Sequence, residues 1–237
     1  MTSRPSPLLL DPNDYWVVCE AASSLTKQAC TLAAIHIKDG VVRTQFNREM
    51  AYYAKHIADD VANGKKTPDE ALLEIKNEQW SLINQSLEIS RKGAGVIAGV
   101  FQVAAGATIC ASPAIILCGV AGLPMIAHGA NNIYENGENL LTGRSDSEGW
   151  VRKGYQAVTK SMGGSMRDGN IAYGVSDIGL SVYGMTRMVL RTGAWKLFKY
   201  IPSDYVRSYI NMSRGAIVFE VGVDMLTGEQ VYVETKK

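Results

Sequence analysis

Two patterns of hydrophobic and polar positions divide the chain. From Asp11 to about Arg91, apolar residues recur at helical spacing among charged ones, and local punctuation splits this region into three helices. Asp11-Pro12-Asn13-Asp14 opens the first, which runs to about His36 and is closed by the turn Asp39-Gly40. The second covers Val41 to Ala62 and ends at Asn63-Gly64. Thr67-Pro68-Asp69-Glu70 supplies a cap, a proline suited to the first helical position and a glutamate three residues after the cap, so a third helix begins there and runs to about Arg91. Leu72, Ile75, Leu82, Ile83, Leu87 and Ile89 approximate one apolar face of it. Residues 1–92 are therefore expected to be amphipathic helices packed as a bundle.

The pattern then changes. Gly93 to Ala127, GAGVIAGVFQVAAGATICASPAIILCGVAGLPMIA, is 35 positions without a charged side chain. Ser112-Pro113 breaks it into two arms, Gly93 to Ala111 and Ala114 to about Tyr134. The first arm has 19 residues, about 28 Å of helix, against a bilayer hydrocarbon core of roughly 30 Å. A helix that is apolar all round must be enclosed by protein or by lipid. Gly and Ala nearly match the large aliphatic residues here, which makes insertion marginal and hence conditional, while Gly95-x-x-x-Gly99 allows close helix contact in lipid. The expectation is a hairpin shielded at the centre of the fold in water and inserted later, with Gly95, Gly99, Val100, Gly106, Pro113, Ile116, Gly119 and Gly122 as its insertion positions.

Gly143 ends the second arm, Ser145-Asp146-Ser147-Glu148 reads as a capping box opening a helix with Trp150, Tyr155, Val158 and Met162, and Gly163-Gly164 stops it. Another apolar stretch, Ile171 to Leu190, is interrupted only by Asp177 and Arg187, and the basic aromatic segment WKLFKY follows. In the tail, AIVFEVGV and QVYVET are β-branched, roughly alternating and separated by a turn with Thr227-Gly228, which predicts a C-terminal β-hairpin over 213–237. The fold class is thus mainly α: a helical bundle enclosing a Gly/Ala-rich hydrophobic helical hairpin, with a small C-terminal β-hairpin. Residues 93–212 belong to the same compact domain as 1–92.

Composition narrows the chemistry. The 237 residues are 46% hydrophobic and 20% charged, enough for a sizeable core, and 24 Lys+Arg against 23 Asp+Glu leave a net charge of +1. That balance gives no footprint for sequence-independent nucleic-acid binding, so nucleic acid is not an expected partner. MTSRPSPLLLDPNDYW has neither a long apolar run nor a cleavage site, so no secretory signal is expected. Cys19, Cys30, Cys110 and Cys118 form no C-x-x-C pair and have no His at zinc spacing, which predicts four free thiols and no metal site. Gly93-Ala94-Gly95 with Gly99 imitates a dinucleotide fingerprint, but the charged LEISRK precedes it and no acid follows at the ribose-binding distance. His36, His56 and His128 adjoin no nucleophile motif, and no cofactor or enzymatic activity is expected.

Polar residues stand out where the apolar segments admit few. In HGANNIYENGENLLTG, His128, Asn131, Asn132, Glu135, Glu138 and Asn139 share one side of a continued helix, either as its solvated end or as a polar stripe at the mouth of an ion pathway. In NIAYGVSDIGLSVYGMTRMVL, Asn170, Tyr173, Gly174, Asp177, Ser181 and Gly184 form a small polar face opposite Ile171, Val175, Ile178, Val182, Met185 and Val189. Ser176 or Asp177 caps a shorter helix there, or Asp177 faces a water-filled interior and favours cations. Asn131, Asn132, Glu135, Asp177 and Ser181 are the ion-pathway candidates. Trp150, Tyr155, Trp195, Lys196 and Lys199 suit a membrane interface.

Gly129-Ala130-Asn131-Asn132-Ile133-Tyr134-Glu135 after a Gly/Ala-rich apolar run, followed by Gly174-Val175-Ser176-Asp177-Ile178-Gly179-Leu180-Ser181, resembles a bacterial family found among type VI secretion effectors. Members of that group are antibacterial toxins that depolarise the inner membrane of a neighbouring cell, some by ion-selective pores, and are encoded beside an immunity protein. The resemblance covers roughly residues 93 to 190 and carries no established pore-lining residues. It implies a cytoplasmic protein in its producer, delivered by a secretion carrier without a signal peptide. It also implies a cognate immunity protein and action at the recipient's inner membrane through an ion-conducting pore; the expected preference for cations rests on Asp177, and self-association in the membrane is a further expectation. At the level of architecture the charge-free hairpin is also similar to the pore-forming colicins. Two other classes stay open: an effector hydrolase acting on lipid, cell wall or nucleotide, and a helical adaptor or immunity-type binding protein.

Overall fold

A computed structural model describes residues 12–112, 115–194 and 200–236. Pro113, Trp195, Lys196 and Lys199, expected at the hairpin turn and the interface, lie outside them. The chain is mainly α-helical, with one small antiparallel strand pair near the C-terminus among the described residues. It divides into two compact units, Met1–Ile89 and Ser90–Lys237.

The first unit holds α1 (Pro12–His36), α2 (Gly40–Ala62) and the start of α3 (Pro68–Cys110). The start signals act as their chemistry requires. Asp39 caps α2 by accepting from the amides of Val41 and Val42, and Thr67 and Glu70 exchange the two hydrogen bonds of a capping box. Gly64, at φ 67°, turns the chain after α2 in the left-handed region that glycine adopts without a Cβ penalty. Val18, Leu25, Ile57, Val61 and Ile75 are buried together, each removing apolar area worth roughly 1.5–3 kcal/mol from water. This unit is built as a water-soluble bundle is built, apolar inside.

The second unit departs from expectation in several places. α3 does not stop near Arg91 but continues unbroken to Cys110. Glycine within a helix costs only about 1 kcal/mol, and close packing against the next helix offsets it. That helix, α4 (Ile115–Thr142), contains a single π turn at Cys118–Gly122 and ends at Gly143 with φ 69°. Where α3 gives way to α4, Cys110 and Cys118 meet in a disulfide with Cα atoms 4.3 Å apart. The expectation of four free thiols is corrected here, since antiparallel arms oppose residues that spacing along one helix would separate. Cys19 and Cys30 are free.

α5 (Trp150–Ser161) and α6 (Met166–Thr186) follow. Ser165 and Asp168 form the capping box of α6, and the helix runs through Ser176 and Asp177, so neither caps a shorter one. β1 (Met188–Leu190) pairs antiparallel with β2 (Tyr205–Arg207), Val189 opposite Val206. The β-hairpin expected over 213–237 is therefore misplaced: that tail is α7 (Arg214–Lys236). Tertiary packing overrides its β-branched composition. Phe219 meets Phe101 edge-on at 5.9 Å between ring centroids, and a Cβ on Gly174 would collide with Val231.

Candidate functional site

The site begins with a seam of glycines. A Cβ at Gly129 would lie 2.5 Å from the Gly99 carbonyl oxygen, and one at Gly106 2.5 Å from that of Gly122, so α3 and α4 touch backbone to backbone at two levels. A Cβ on Gly95 would run into the Asn136 side chain. Gly122 also clears the disulfide, because a Cβ there would lie 2.6 Å from Cys110 Sγ. Gly119, assigned with these, is off the seam and faces open space.

The hairpin is not enclosed as expected. Among the described residues two helices, α3 and α4, are long and apolar enough to cross a membrane, and only 28% and 33% of their apolar windows is buried. Ile97, Val100 and Phe101 on one arm, and Ile116, Val120 and Leu123 on the other, are exposed. The interior of the unit holds instead Gln102, His128, Asn131, Glu135, Asp177 and Ser181, all buried. Its one apolar cluster is small: Ile109, Ala121 and Met125 with Ala105, Leu180 and Tyr183 against them.

These polar groups form one network centred on two carboxylates. Asp177 accepts from Gln102 Nε2 at 2.8 Å, from Asn132 Nδ2 at 3.2 Å on each oxygen, and from His128 Nδ1 at 3.3 Å. Tyr173 links the two halves, donating to Asn132 Oδ1 at 2.7 Å while accepting from Asn131 Nδ2 at 3.0 Å. The His128 ring stacks on Tyr173 with centroids 4.7 Å apart, and its Nε2 lies 3.2 Å from the Tyr155 hydroxyl. Tyr155, expected as an interface anchor, is thereby turned inward; Trp150 stays exposed.

Glu135 has a different office. Arg152 clamps it with two hydrogen bonds of 2.8 and 2.7 Å, while Asn131 Nδ2 and the Gly149 amide donate to the same carboxylate at 2.8 Å. The Val151 amide is bound by Asn131 Oδ1 at 2.9 Å. The amides at the start of α5 are thus satisfied by side chains of α4, which explains why the Ser145–Glu148 capping box is not used and the N-cap is Gly149. Glu148 accepts from Gln156 instead. Burial disfavours the Arg152 charge, yet Glu135 outweighs it and holds the guanidinium above its ordinary pKa. Arg152 also lies over the Tyr173 ring, 4.4 Å from the centroid.

One turn beyond Asp177, Ser181 Oγ donates to Asp224 Oδ2 at 3.1 Å and faces Glu220 Oε2 at 3.5 Å. Burial, then the nearby Asp177 charge, pushes Asp224 up to about 6, and burial with the Asp224 charge raises Glu220.

All five ion-pathway candidates therefore meet inside one unit. Sequence reading missed Gln102, hidden in the uncharged run, Tyr173 as the bridge, and Glu220 and Asp224, masked by the strand assignment. The only advance signal for the last pair was their four-residue spacing, a helical one. Chemically the network holds carboxylates, an imidazole and hydroxyls in mutual reach. His128 carries Asp177 as a triad histidine does, but its other nitrogen faces a phenol instead of a serine or cysteine. Among the described residues no three His, Cys, Asp or Glu side chains gather as metal ligands.

The class this defines is a mainly α-helical protein in which two long apolar helices carry exposed apolar residues beside a buried polar network. A family model matches residues 73–213, and the chain belongs to that family, described as a protein of unknown function, DUF4225. No curated protein and no solved structure matches the chain.

Proposed function

We propose that the chain is an antibacterial toxin that enters the inner membrane of a neighbouring cell and opens a cation-preferring conduction path, dissipating the membrane potential. The observation that carries this reading is the polarity of the described residues of the two arms and α6: Ile97, Val100, Ile116 and Val120 outward, and Asp177, His128 and Asn131 inward. In water such an arrangement exposes apolar area at a cost of roughly 25 cal/mol per Å²; in lipid the same surface is matched and the buried polar groups are already partnered. The Gly129–Glu135 and Gly174–Ser181 segments that resemble the effector family supply much of that interior. The hairpin and α6 (Met166–Thr186) are the inserting elements. A secretion carrier delivers the folded chain, self-association in the membrane completes the path, and a cognate immunity protein blocks it in the producer.

Planar bilayer recording tests the reading. Purified protein is expected to give discrete, cation-preferring currents, and intoxicated cells to lose potential while retaining large dyes. Maintained potential together with consumption of lipid, peptidoglycan or nucleotide would transfer the assignment to a hydrolase.

A further inference from the structure

We infer that the cation carried by this site is the proton, moved along a relay from Tyr155 through His128 to Asp177 and on by Ser181 to Asp224. The inference rests on the membrane-conduction reading and names what is conducted.

Three observations carry it. First, the interior is occupied. Gln102 and Asn132 fill the space around Asp177 with direct hydrogen bonds, and the glycine seam closes α3 on α4 without a gap for a side chain. A hydrated metal cation would have to break that network, whereas a proton needs only a chain of donors and acceptors. Second, Arg152 sits in the same interior, over Tyr173 and paired to Glu135. A fixed guanidinium repels a cation diffusing past it but leaves a relay that bypasses it untouched. Third, the relay members are two-sided. The Tyr155 hydroxyl and the two nitrogens of His128 stand in series at 3.2 and 3.3 Å, ending on Asp177 Oδ1.

The step balances without any co-reactant. With Nδ1 protonated, the imidazole accepts a proton on Nε2 from the Tyr155 side and releases the Nδ1 proton to Asp177. The Tyr155 O–H breaks as the Nε2–H forms, the Nδ1–H breaks as an O–H forms on Asp177, the phenolate takes a proton from the entry side, and rotation or return of the ring resets the imidazole. The titratable groups facing His128 are Tyr155 from α5 and Tyr173 and Asp177 from α6, with Arg152 of α5 lying over Tyr173; from α3 the neutral Gln102 reaches Asp177. Asp177 and Ser181 are four residues apart on α6, about 6 Å of helical rise, and the proposed relay crosses that gap through a water. Ser181 then hands on to Asp224.

The test uses the full chain in vesicles of phosphatidylethanolamine and phosphatidylglycerol enclosing a pH-sensitive dye, with bilayers of the same lipids for reversal potentials. The expected result is a reversal potential that follows an imposed pH gradient and ignores a KCl gradient. Tyr155→Phe, which removes only the hydroxyl, and His128→Phe, which keeps a ring to stack on Tyr173, are expected to lower proton flux about a hundredfold, the lower end of what a positioned proton carrier contributes. Melting curves of both variants report whether the fold is kept. A reversal potential that follows KCl overturns the proton assignment and leaves the conduction reading standing. Proton flux undiminished in two folded variants overturns the relay. No current in either gradient sinks the conduction reading itself, and this inference with it.

Discussion

Arg152 and Glu135 show how much one residue pair settles here. Glu135 is 5% exposed and accepts from three residues, Asn131, Gly149 and Arg152, so removing its cation leaves a buried charge short of compensation. Arg152→Ala is expected to lower stability by about 3–5 kcal/mol, read as a shift in the urea midpoint, while adding Glu135→Gln to it restores part of the loss by removing the orphaned charge. An unchanged midpoint for the single variant would mean the pair is solvated. Asp224 makes the opposite demand. Its pKa in the folded chain, about 6, lies above that of an unfolded carboxylate, so folding takes up a proton as pH falls from about 7 toward 4. This group therefore costs stability above its folded value, and that cost disappears in acid. Asp224→Asn is expected to raise the melting temperature at pH 8 and to leave it nearly unchanged at pH 4; an equal gain at both values would remove titration as the cause.

The glycines sort the helical hairpin into a seam and an outer face. Gly129→Val places a branched side chain where even a Cβ meets the Gly99 carbonyl at 2.5 Å, and overpacking of that kind costs about 1–3 kcal/mol. Gly119→Ala enters open space, so its melting temperature is expected to match or exceed that of the parent. Equal losses from both would show that glycine flexibility, and not the seam, is what matters. Much of this element structure was legible beforehand. Caps are local chemistry, and Thr67 and Gly143 did what short-range rules demand, while Asp39, read as part of the turn that closes α1, also caps α2. The tail was not legible, because its helix is decided by partners over 100 residues away in the α3–α7 contact of Phe101 and Phe219. Asn131, Asn132, Glu135, Asp177 and Ser181 could be picked out because polar residues at helical spacing are conspicuous among apolar ones. Gln102 is a single amide in a run of small residues, and nothing in its neighbourhood announced that it would hold Asp177.

On the scale of the whole chain, two packing rules coexist. The first unit hides Leu25, Ile57 and Ile75 and stands on its apolar core. The second hides Asp177 and His128 and turns Ile116 outward, 80% exposed. Val100 and Ile116 lie outside the packed interior, so a charge at either leaves folding intact. Val100→Asp and Ile116→Asp are expected to melt as the parent does, to lose flotation with lipid vesicles and to lose toxicity. Variants that fold and still depolarise cells would exclude the hairpin as the point of entry. The expectation of a shielded hairpin failed for an identifiable reason: length and composition say that a helix needs an apolar surrounding, but not whether protein supplies it.

Where Gly99 faces Gly129 and Gly106 faces Gly122, main chain meets main chain between the two arms, with the Ile133 and Ile126 side chains beside the glycines and Ile109, Ala121 and Met125 clustered at one end. Contact of this type gains from dispersion and carbonyl alignment in any medium. It gives the hairpin contacts that do not need water to hold them, so on the membrane-entry reading proposed above the arms change surroundings as a finished part and need no second folding step on arrival.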